Sequence, residues 1–485
     1  MAEAIDTETH KKMAGEMNQA DLTSETESET AQQQMVELQP LLSSQPSDPS
    51  HNHFQQQQHL YASPFTSVTV EDEVIMDIKE MIQDCGDGLL SPGCCIYRVP
   101  IALRHLKEET YTPQVVSIGP FHHGNERLQN MERHKQILFK RFTQRAALSW
   151  HDLVPFVTQL MPKVCASYSE TINLTQQQLV KLILIDAGFI IALFMSKSFE
   201  LRNDAKLSQQ VLNVSIREDL LLIENQLPFF VIEELFNKAF PQNHDGRSGP
   251  SFLELAYDYF GYYNTQELEP NSNVEIKHFT DLVRLFYLPE KLPQRDCYSE
   301  RHILLYNANA LQEAGIQLKV GKSKCLLDLK FSGHVLEIPK IYVEDGTELV
   351  FRNLIALEQC LYYPDAPYID DYATVLDCLI DTHKDVDLLV RKKIVDNLIL
   401  GDSNNVAALF NGLGKNVVQC SCNSEYLDIC KRLYSYCEDP WHKMKATLKH
   451  DYCRTPWQIV ASIAGIVLLF LTVVQTILSV FQVVK

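Results

Sequence analysis

The most constraining feature of this chain is an apolar segment at its C-terminal end. The stretch TPWQIVASIAGIVLLFLTVVQTILSVFQVV, from Thr455 to Val484, contains no Asp, Glu, Lys or Arg, although the chain has a formal net charge of -19. A helix from Ile459 to Phe481 would be about 34 Å long, enough to cross a hydrocarbon core of about 30 Å. The sequence therefore predicts a single transmembrane helix within residues 455–485. The predicted anchor residues are Trp457, Ile459, Gly465, Leu469, Phe470, Val480 and Phe481.

Small and polar residues fall on one face of this predicted helix. They are Ser462, Gly465, Thr472, Thr476 and Ser479, with Leu469 filling the gap and Gln475 beside the row. Two interpretations remain open. The hydroxyls can satisfy carbonyls of their own helix while the face meets lipid, or the face can pair with a second copy or another membrane helix.

The charges that flank the span predict its orientation. Lys443, Lys445, Lys449 and Arg454 precede the span, and Lys485 follows it. The N-terminal region has no basic start followed by an apolar run, so we expect no signal peptide. Together these features predict a tail-anchored protein with residues 1 to about 454 in the cytosol. The 13 Cys are then expected to be mostly reduced. The sequons at Asn173 and Asn213, which we place in helices, are expected to stay unglycosylated. Nothing in the sequence specifies which membrane is used.

The N-terminal region, residues 1–67, is predicted to be a disordered acidic tail. It is rich in Gln, Ser and Thr, and its first 60 residues hold two Lys against ten acids, a balance of -8. So few large apolar residues cannot offset the conformational entropy lost on ordering. The acidic excess of the whole chain, 62 Asp and Glu against 43 Lys and Arg, also argues against sequence-independent binding to nucleic acid.

The body, residues 68–454, is predicted to be mainly α-helical with a minor β element. Apolar residues recur at helical spacing near Val70 and Val74, and in three longer segments. These segments are LQNMERHKQILFKRFTQR, TQQQLVKLILIDAGFIIALFMSKSF and SIREDLLLIENQLPFFVIEELFNKAF. Between residues 325 and 345, alternating apolar residues around SGH, IPK and EDG indicate two or three short, hairpin-like strands.

Several blocks of the body and span occur in the order typical of one plant family. They include IYRVPIALR, VVSIGPFHHG, LLIENQLPFFVIEELF, HFTDLVRLFYLP, LEIPKIYVEDGTELVFRNLIALEQC and DYCRTPWQIVASIAGIVLLFLTVVQTILSV. The chain thereby resembles the plant domain-of-unknown-function 247 family from about Ile75 to its C-terminus. The resemblance implies a plant protein with a C-terminal membrane helix. Some grass relatives look like pollen-side determinants of self-incompatibility.

Two motifs of the body carry candidate functional residues. Glu224 interrupts an apolar run, and a buried carboxylate needs a partner, so we expect a core ion pair with an arginine such as Arg98 or Arg104. His122 and His123 lie in GPFHHG, where we expect a rigid turn whose imidazoles bond to backbone. The alternative for Glu224 is a catalytic carboxylate, and the alternative for the histidines is metal binding or acid–base chemistry.

The sequence contains no recognisable catalytic, cofactor-binding or metal-binding motif. Cys420 and Cys422 are not followed at a standard zinc spacing, and GIQLKVGKSK departs from a phosphate-binding loop. We therefore expect a membrane-tethered protein, not an enzyme, that acts through protein–protein interaction or signalling, and its partner in recognition stays unidentified. The alternative is an unrecognised enzyme, such as a hydrolase using Glu224 or His122 and His123.

Overall fold

A computed structural model describes most of the body and the apolar C-terminal segment. The described residues are 75–76, 91–195, 210–241, 249–297, 306–360, 367–397, 401–418, 421–441, 444 and 456–484. The predicted tail, residues 1–67, lies outside them, and only Ile75 and Met76 of the helix predicted near Val70 are described. Both of these are helical.

Helices dominate the described residues, which confirms the predicted fold class. The helices before residue 300 are α1 (Ile101–Arg104), α2 (Gln129–Arg145), α3 (Trp150–Ala166), α4 (Gln176–Met195), α5 (Gln210–Asp219), α6 (Phe229–Ala239), α7 (Phe252–Tyr259) and α8 (Phe279–Tyr287). Those that follow are α9 (Ala308–Glu313), α10 (Thr347–Cys360), α11 (Tyr368–Leu379), α12 (His383–Arg391), α13 (Ser403–Leu413), α14 (Ser424–Glu438) and α15 (Pro456–Val484).

The strands are short and form three small sheets. They are β1 (Arg295–Cys297), β2 (Gln317–Val320), β3 (Lys330–Ser332), β4 (Val335–Ile338), β5 (Ile341–Val343), β6 (Val395–Asn397) and β7 (Ser421–Asn423). β3 and β4 form an antiparallel hairpin, as the sequence predicts, and β2 joins β4 in parallel to give the order β2-β4-β3. β5 leaves this sheet and pairs in parallel with β6, while β1 pairs with β7.

Helix α4 forms the centre of the hydrophobic core. It is long and apolar enough to cross a membrane. However, 78% of the residues in its 18-residue apolar stretch are buried inside the body, so it is a core helix. It packs most extensively against α2. Gly188 permits this close approach, because a Cβ there would lie 2.3 Å from the Phe139 ring.

Helix α15 has the opposite environment. It runs for 29 residues, and no residue from Val460 to Val480 is buried, although every large side chain described there except Gln475 is apolar. The side chains of Thr472 and Thr476 donate hydrogen bonds to the carbonyls of Leu468 and Thr472 in the same helix. By length and composition this helix could span a membrane, as the sequence predicts.

Two local predictions are wrong. The segment from Ser215 to Phe240 is not one helix: α5 ends at Asp219, a turn follows at residues 220–228, and Pro228, which has no N–H to donate, directly precedes α6. The sequon at Asn173 lies in an exposed loop before α4, whereas Asn213 is in α5 as predicted.

Candidate functional site

The turn between α5 and α6 places Glu224, Asn225 and Gln226 in the core. All three are at most 1% exposed. Glu224 is therefore buried but lies in a turn, so its predicted helical setting is wrong. Non-helical backbone in a core needs hydrogen-bond partners that a helix would provide internally. The side chains of Asn225 and Gln226, together with Asn353 on α10 and Thr280 on α8, supply those partners.

The Glu224 carboxylate is held by two arginines and a backbone amide. Its Oε2 lies 3.1 Å from Arg98 Nη1, and its Oε1 accepts hydrogen bonds from Arg104 Nη2 and, at 2.7 Å, from the Val99 N–H. His122 Nε2 also approaches Oε2 at 3.3 Å, although without the alignment of a hydrogen bond. The structure thus brings Glu224 together with both arginines that the sequence suggests.

These contacts keep Glu224 ionised. Burial by itself raises the pKa of this carboxyl, but His122, the Val99 amide and Arg104 outweigh burial and lower the pKa to about 2. A general base works best with a pKa near the operating pH. The environment of Glu224 is therefore that of a structural ion pair.

The two adjacent histidines face different surroundings. The side chain of His122 is 10% exposed and points towards Glu224, whereas His123 is exposed. Both lie in a turn that runs from Phe121 to Gly124, whose φ is positive at Gly124 (82°). The sequence predicts that these imidazoles bond to neighbouring backbone. For His122, the structure instead shows a close approach to the Glu224 carboxylate.

Asn225 and Gln226 use their amides to satisfy backbone. Asn225 accepts from the Ile118 N–H at 2.7 Å and donates to the carbonyls of Val116 and Asp219, each at 2.9 Å. Gln226 donates to the carbonyls of Leu220 and Leu222 and accepts from the Phe279 N–H at 3.0 Å. These side chains replace the backbone bonds that a continuous helix would have made.

A second buried ion pair closes the same region. Lys135 on α2 is 1% exposed, and its Nζ lies 2.5 Å from Asp186 Oδ1 on α4. Lys135 also donates to Glu132 and to the Ser117 carbonyl, while Asp186 Oδ2 accepts from the Gly119 N–H at 2.9 Å. Our sequence analysis missed this pair. The sequence feature that indicates this pair is the position of Lys135. It follows Met131 by one helical turn on the apolar face of α2, so its charge is buried.

A third polar cluster joins α8, α10, α11 and β1. Arg284 Nε lies 2.8 Å from Glu358 Oε1, and Arg295 Nη1 lies 2.6 Å from Asp371 Oδ2. The remaining oxygen of Glu358 accepts from the N–H groups of Ile369 and Asp370 at the start of α11. Three carboxyl groups, with Asp370 as the third, therefore share two guanidinium groups in the core.

The described residues offer no assembled metal centre. No group of three or more His, Cys, Asp or Glu in the described part of the chain could hold a metal ion. Cys420, considered in the sequence analysis, lies outside the described residues. Cys94, Cys95, Cys165, Cys325, Cys360 and Cys378 are thiols.

The predicted membrane anchor residues lie on α15 with exposed side chains where these are described. Trp457 is 83% exposed, and Leu469, Phe470 and Val480 are each more than half exposed. A Cβ on Gly465 would meet nothing within 4 Å. The side chains of Ile459 and Phe481 lie outside the description.

These features define a class of protein: a helical body closed by buried ion pairs, followed by one exposed apolar helix. The model of a plant protein family of unknown function, DUF247, matches residues 96–471, and the chain belongs to this family. It is 29% identical over 421 residues to UPF0481 protein At3g47200 of Arabidopsis thaliana, covering 80% of this chain and 87% of the relative. A second Arabidopsis thaliana UPF0481 protein, At3g02645, is 33% identical over 140 residues, covering 29% of this chain and 26% of that relative. No solved structure matches.

Proposed function

We propose that this protein is a single-pass membrane protein whose helical body binds other proteins at the cytosolic surface, in recognition or signalling. The observation that carries the proposal is α15, an apolar helix of 29 residues with no buried residue in its Val460–Val480 window. Such a surface is unfavourable in water, at about 25 cal/mol for each Å² exposed, and favourable in lipid. The cytosolic orientation rests on the four basic residues that precede the span.

We propose binding and not catalysis because Glu224, the best candidate for a catalytic residue, is buried and its charge is compensated. The side chain of Glu224 has no exposed area, and its charge is compensated by Arg98 and Arg104. A buried carboxylate that is paired in this way stabilises the fold. The proposed function therefore depends on the surface of the body, which binds partners. The thiols in the described residues are also compatible with a reducing compartment.

The membrane proposal predicts that the full-length protein stays in the membrane pellet after extraction at alkaline pH. Deletion of residues 455–485 should move the body to the soluble fraction, because the body buries its own apolar core. The exposed sequon at Asn173 provides the test of orientation: it should remain unglycosylated, and added protease should digest the body in sealed microsomes.

Release of the intact protein by alkaline extraction would contradict the proposal. A mass shift at Asn173 that endoglycosidase removes would place the body on the opposite side of the membrane. Asn173→Gln is the matched control, since it should abolish any such shift without disturbing the loop.

The span is also proposed to pair with another membrane helix through the face that contains Gly465 and Gln475. Gly465 allows close backbone approach, and the Gln475 amide can bond across the contact. Because Thr472 and Thr476 already bond within their own helix, pairing must depend mostly on Gly465 and Gln475.

Replacing Gly465 and Gln475 together by Leu should abolish self-association of the isolated span in a membrane two-hybrid assay. Each polar contact contributes only about 0.6 kcal/mol on average, so we expect the double change to be needed. Val467→Leu with Val473→Leu is the control, since these positions lie off the face. Equal signals from both pairs, or no signal from the parent span, would show that the helix is only an anchor.

A further inference from the structure

Strand β3 lies at the edge of its sheet. The order β2-β4-β3 leaves one long side of β3 without a neighbouring strand among the described residues. Ser332 and Val335 flank the two-residue loop Gly333–His334, in which Gly333 has a φ of 60°. A positive φ at the first loop residue is typical of the tight turns that close a hairpin.

The hairpin register directs the backbone of Phe331 away from the sheet. In an antiparallel pair, residues alternate between those that exchange hydrogen bonds with the partner strand and those that do not. Because Ser332 and Val335 close the loop as a bonded pair, the next pair, Phe331 and Leu336, is a non-bonded pair. The N–H and C=O of Phe331 therefore point towards the open edge, where an added strand could bond to them.

Helix α14 faces this open edge across a groove. The groove consists of two adjoining cavities with volumes of about 460 and 550 Å³, and both are lined by Phe331 and Arg432. Leu329 and Ile429 give the first cavity an apolar base. The wall from α14 carries residues about one helical turn apart, namely Glu425, Asp428 and Arg432.

The charges along the groove leave one acid without a salt bridge. Lys330 pairs with Asp328 at 2.8 Å, and Arg432 pairs with Asp428 at 3.1 Å. Glu425 is exposed and forms no salt bridge with another described residue. The groove therefore combines hydrogen-bonding backbone, an apolar base and an exposed carboxylate that is able to pair with a cationic side chain.

We infer that this groove binds an extended, basic peptide segment of a partner protein, which adds to β3 as a further strand and places a Lys or Arg side chain at Glu425. Strand addition of this kind uses backbone bonds for affinity and side-chain pockets for specificity. The inference rests on the proposed function, because it assigns the contact through which the body recognises its partner.

The position of the groove in the chain favours the membrane-flanking segment of another membrane protein as the partner. Only 17 residues separate the end of α14 at Glu438 from the start of α15 at Pro456. At about 3.4 Å per residue this linker spans at most about 60 Å, so the groove stays near the bilayer. Cytosolic flanks of membrane helices are enriched in Lys and Arg, which matches the free charge of Glu425.

The first test selects peptides on the full-length protein in lipid nanodiscs. A random decapeptide phage library should yield peptides that contain Lys or Arg and alternate apolar with polar residues. Glu425→Lys should weaken binding of a selected peptide at least tenfold, and a peptide with its Lys changed to Glu should regain binding to that variant. Glu313→Lys, an equal charge change on α9 at an exposed site, should alter affinity less than twofold.

The second test examines strand addition without altering the protein. N-methylation of the selected peptide, one residue at a time, should abolish binding at the position whose N–H bonds to the Phe331 carbonyl and should spare its two neighbours, since only every second N–H faces β3. Failure to select any peptide, equal binding to the Glu425 and Glu313 variants, or equal loss of binding on methylation of neighbouring positions would each overturn the inference. Membrane extraction of the same protein is unaffected by any of these outcomes, so the proposed membrane attachment is judged separately.

Discussion

Glu224→Gln is expected to lower the free energy of unfolding of the body by about 3 kcal/mol, because removal of one partner from a buried ion pair leaves the other charge uncompensated. Arg98 and Arg104 would then face a neutral amide. One of the two carboxylate oxygens would become an uncharged acceptor and the other would be replaced by an NH2 donor, so the bonds from the arginines and from the Val99 N–H would be weakened or lost. Urea titration of the purified full-length protein, followed by tryptophan fluorescence, measures this change.

Glu170→Gln is the matched control for this prediction. Glu170 contacts the same arginine, at 3.3 Å from Arg98 Nε, but its side chain is 53% exposed. Exposed pairs contribute about 0–1 kcal/mol, so the control should change stability little. If Glu224→Gln and Glu170→Gln had equal effects, the buried cluster would not be what stabilises the turn.

The lowered pKa of Glu224, which results from the same contacts, predicts how this stabilisation depends on pH. The ordinary value of 4.5 falls to about 2 in the folded protein, so the folded state binds this proton less readily than the unfolded state. The stabilisation is therefore fully present above pH 4.5 and is lost as the pH falls towards 2. A shift of this size corresponds to about 3 kcal/mol, and the acid-induced loss should be absent from Glu224→Gln.

The sequence predicts the existence of the Glu224 pair better than its setting. An acid within an apolar run needs a cation, and this rule suggests Arg98 and Arg104 because polar groups in a core must be satisfied. The same apolar run suggests one continuous helix, since helical spacing persists on both sides. That helix ends at Asp219, nine residues before Pro228, and Asn225 then makes bonds to a loop more than 100 residues earlier. Such distant partners leave no periodic signal.

The β element illustrates the same limit. Alternation between residues 325 and 345 predicts the hairpin of β3 and β4, because its two strands are neighbours in sequence. The pairing of β5 with β6 joins residues more than 50 apart, and β2 joins β4 in parallel. Parallel pairing needs a crossover that brings distant segments together, so packing of the whole body determines it. The groove beside β3 follows from this packing and could not be located from the sequence.

Asp371→Asn is expected to destabilise the body by about 3 kcal/mol, comparable to Glu224→Gln. Asp371 is the partner of Arg295, whose side chain is only 3% exposed, and its Oδ2 also accepts from the Asn423 N–H at 2.9 Å. Burial raises the pKa of Asp371, but Arg295 in direct contact opposes this effect and cannot release its own proton, so the substitution leaves a buried charge without compensation. The measurement is urea titration at pH 7.

The adjacent substitution, Asp370→Asn, is expected to stabilise the body at pH 6 and above. Burial raises the pKa of Asp370 well above its ordinary 3.8, and the nearby carboxylate of Glu358 raises it further, because Arg284 and Arg295 already pair with Glu358 and Asp371. A raised carboxyl pKa contributes stability below the unfolded value of 3.8 and loses it as the pH rises towards the folded value. Asparagine resembles the protonated acid in shape but cannot ionise, so the variant should lack that alkaline decline. Urea titrations from pH 5 to 9 should therefore give opposite results for two neighbouring aspartates, and equal destabilisation by both would show that Asp370 is ionised in the folded body.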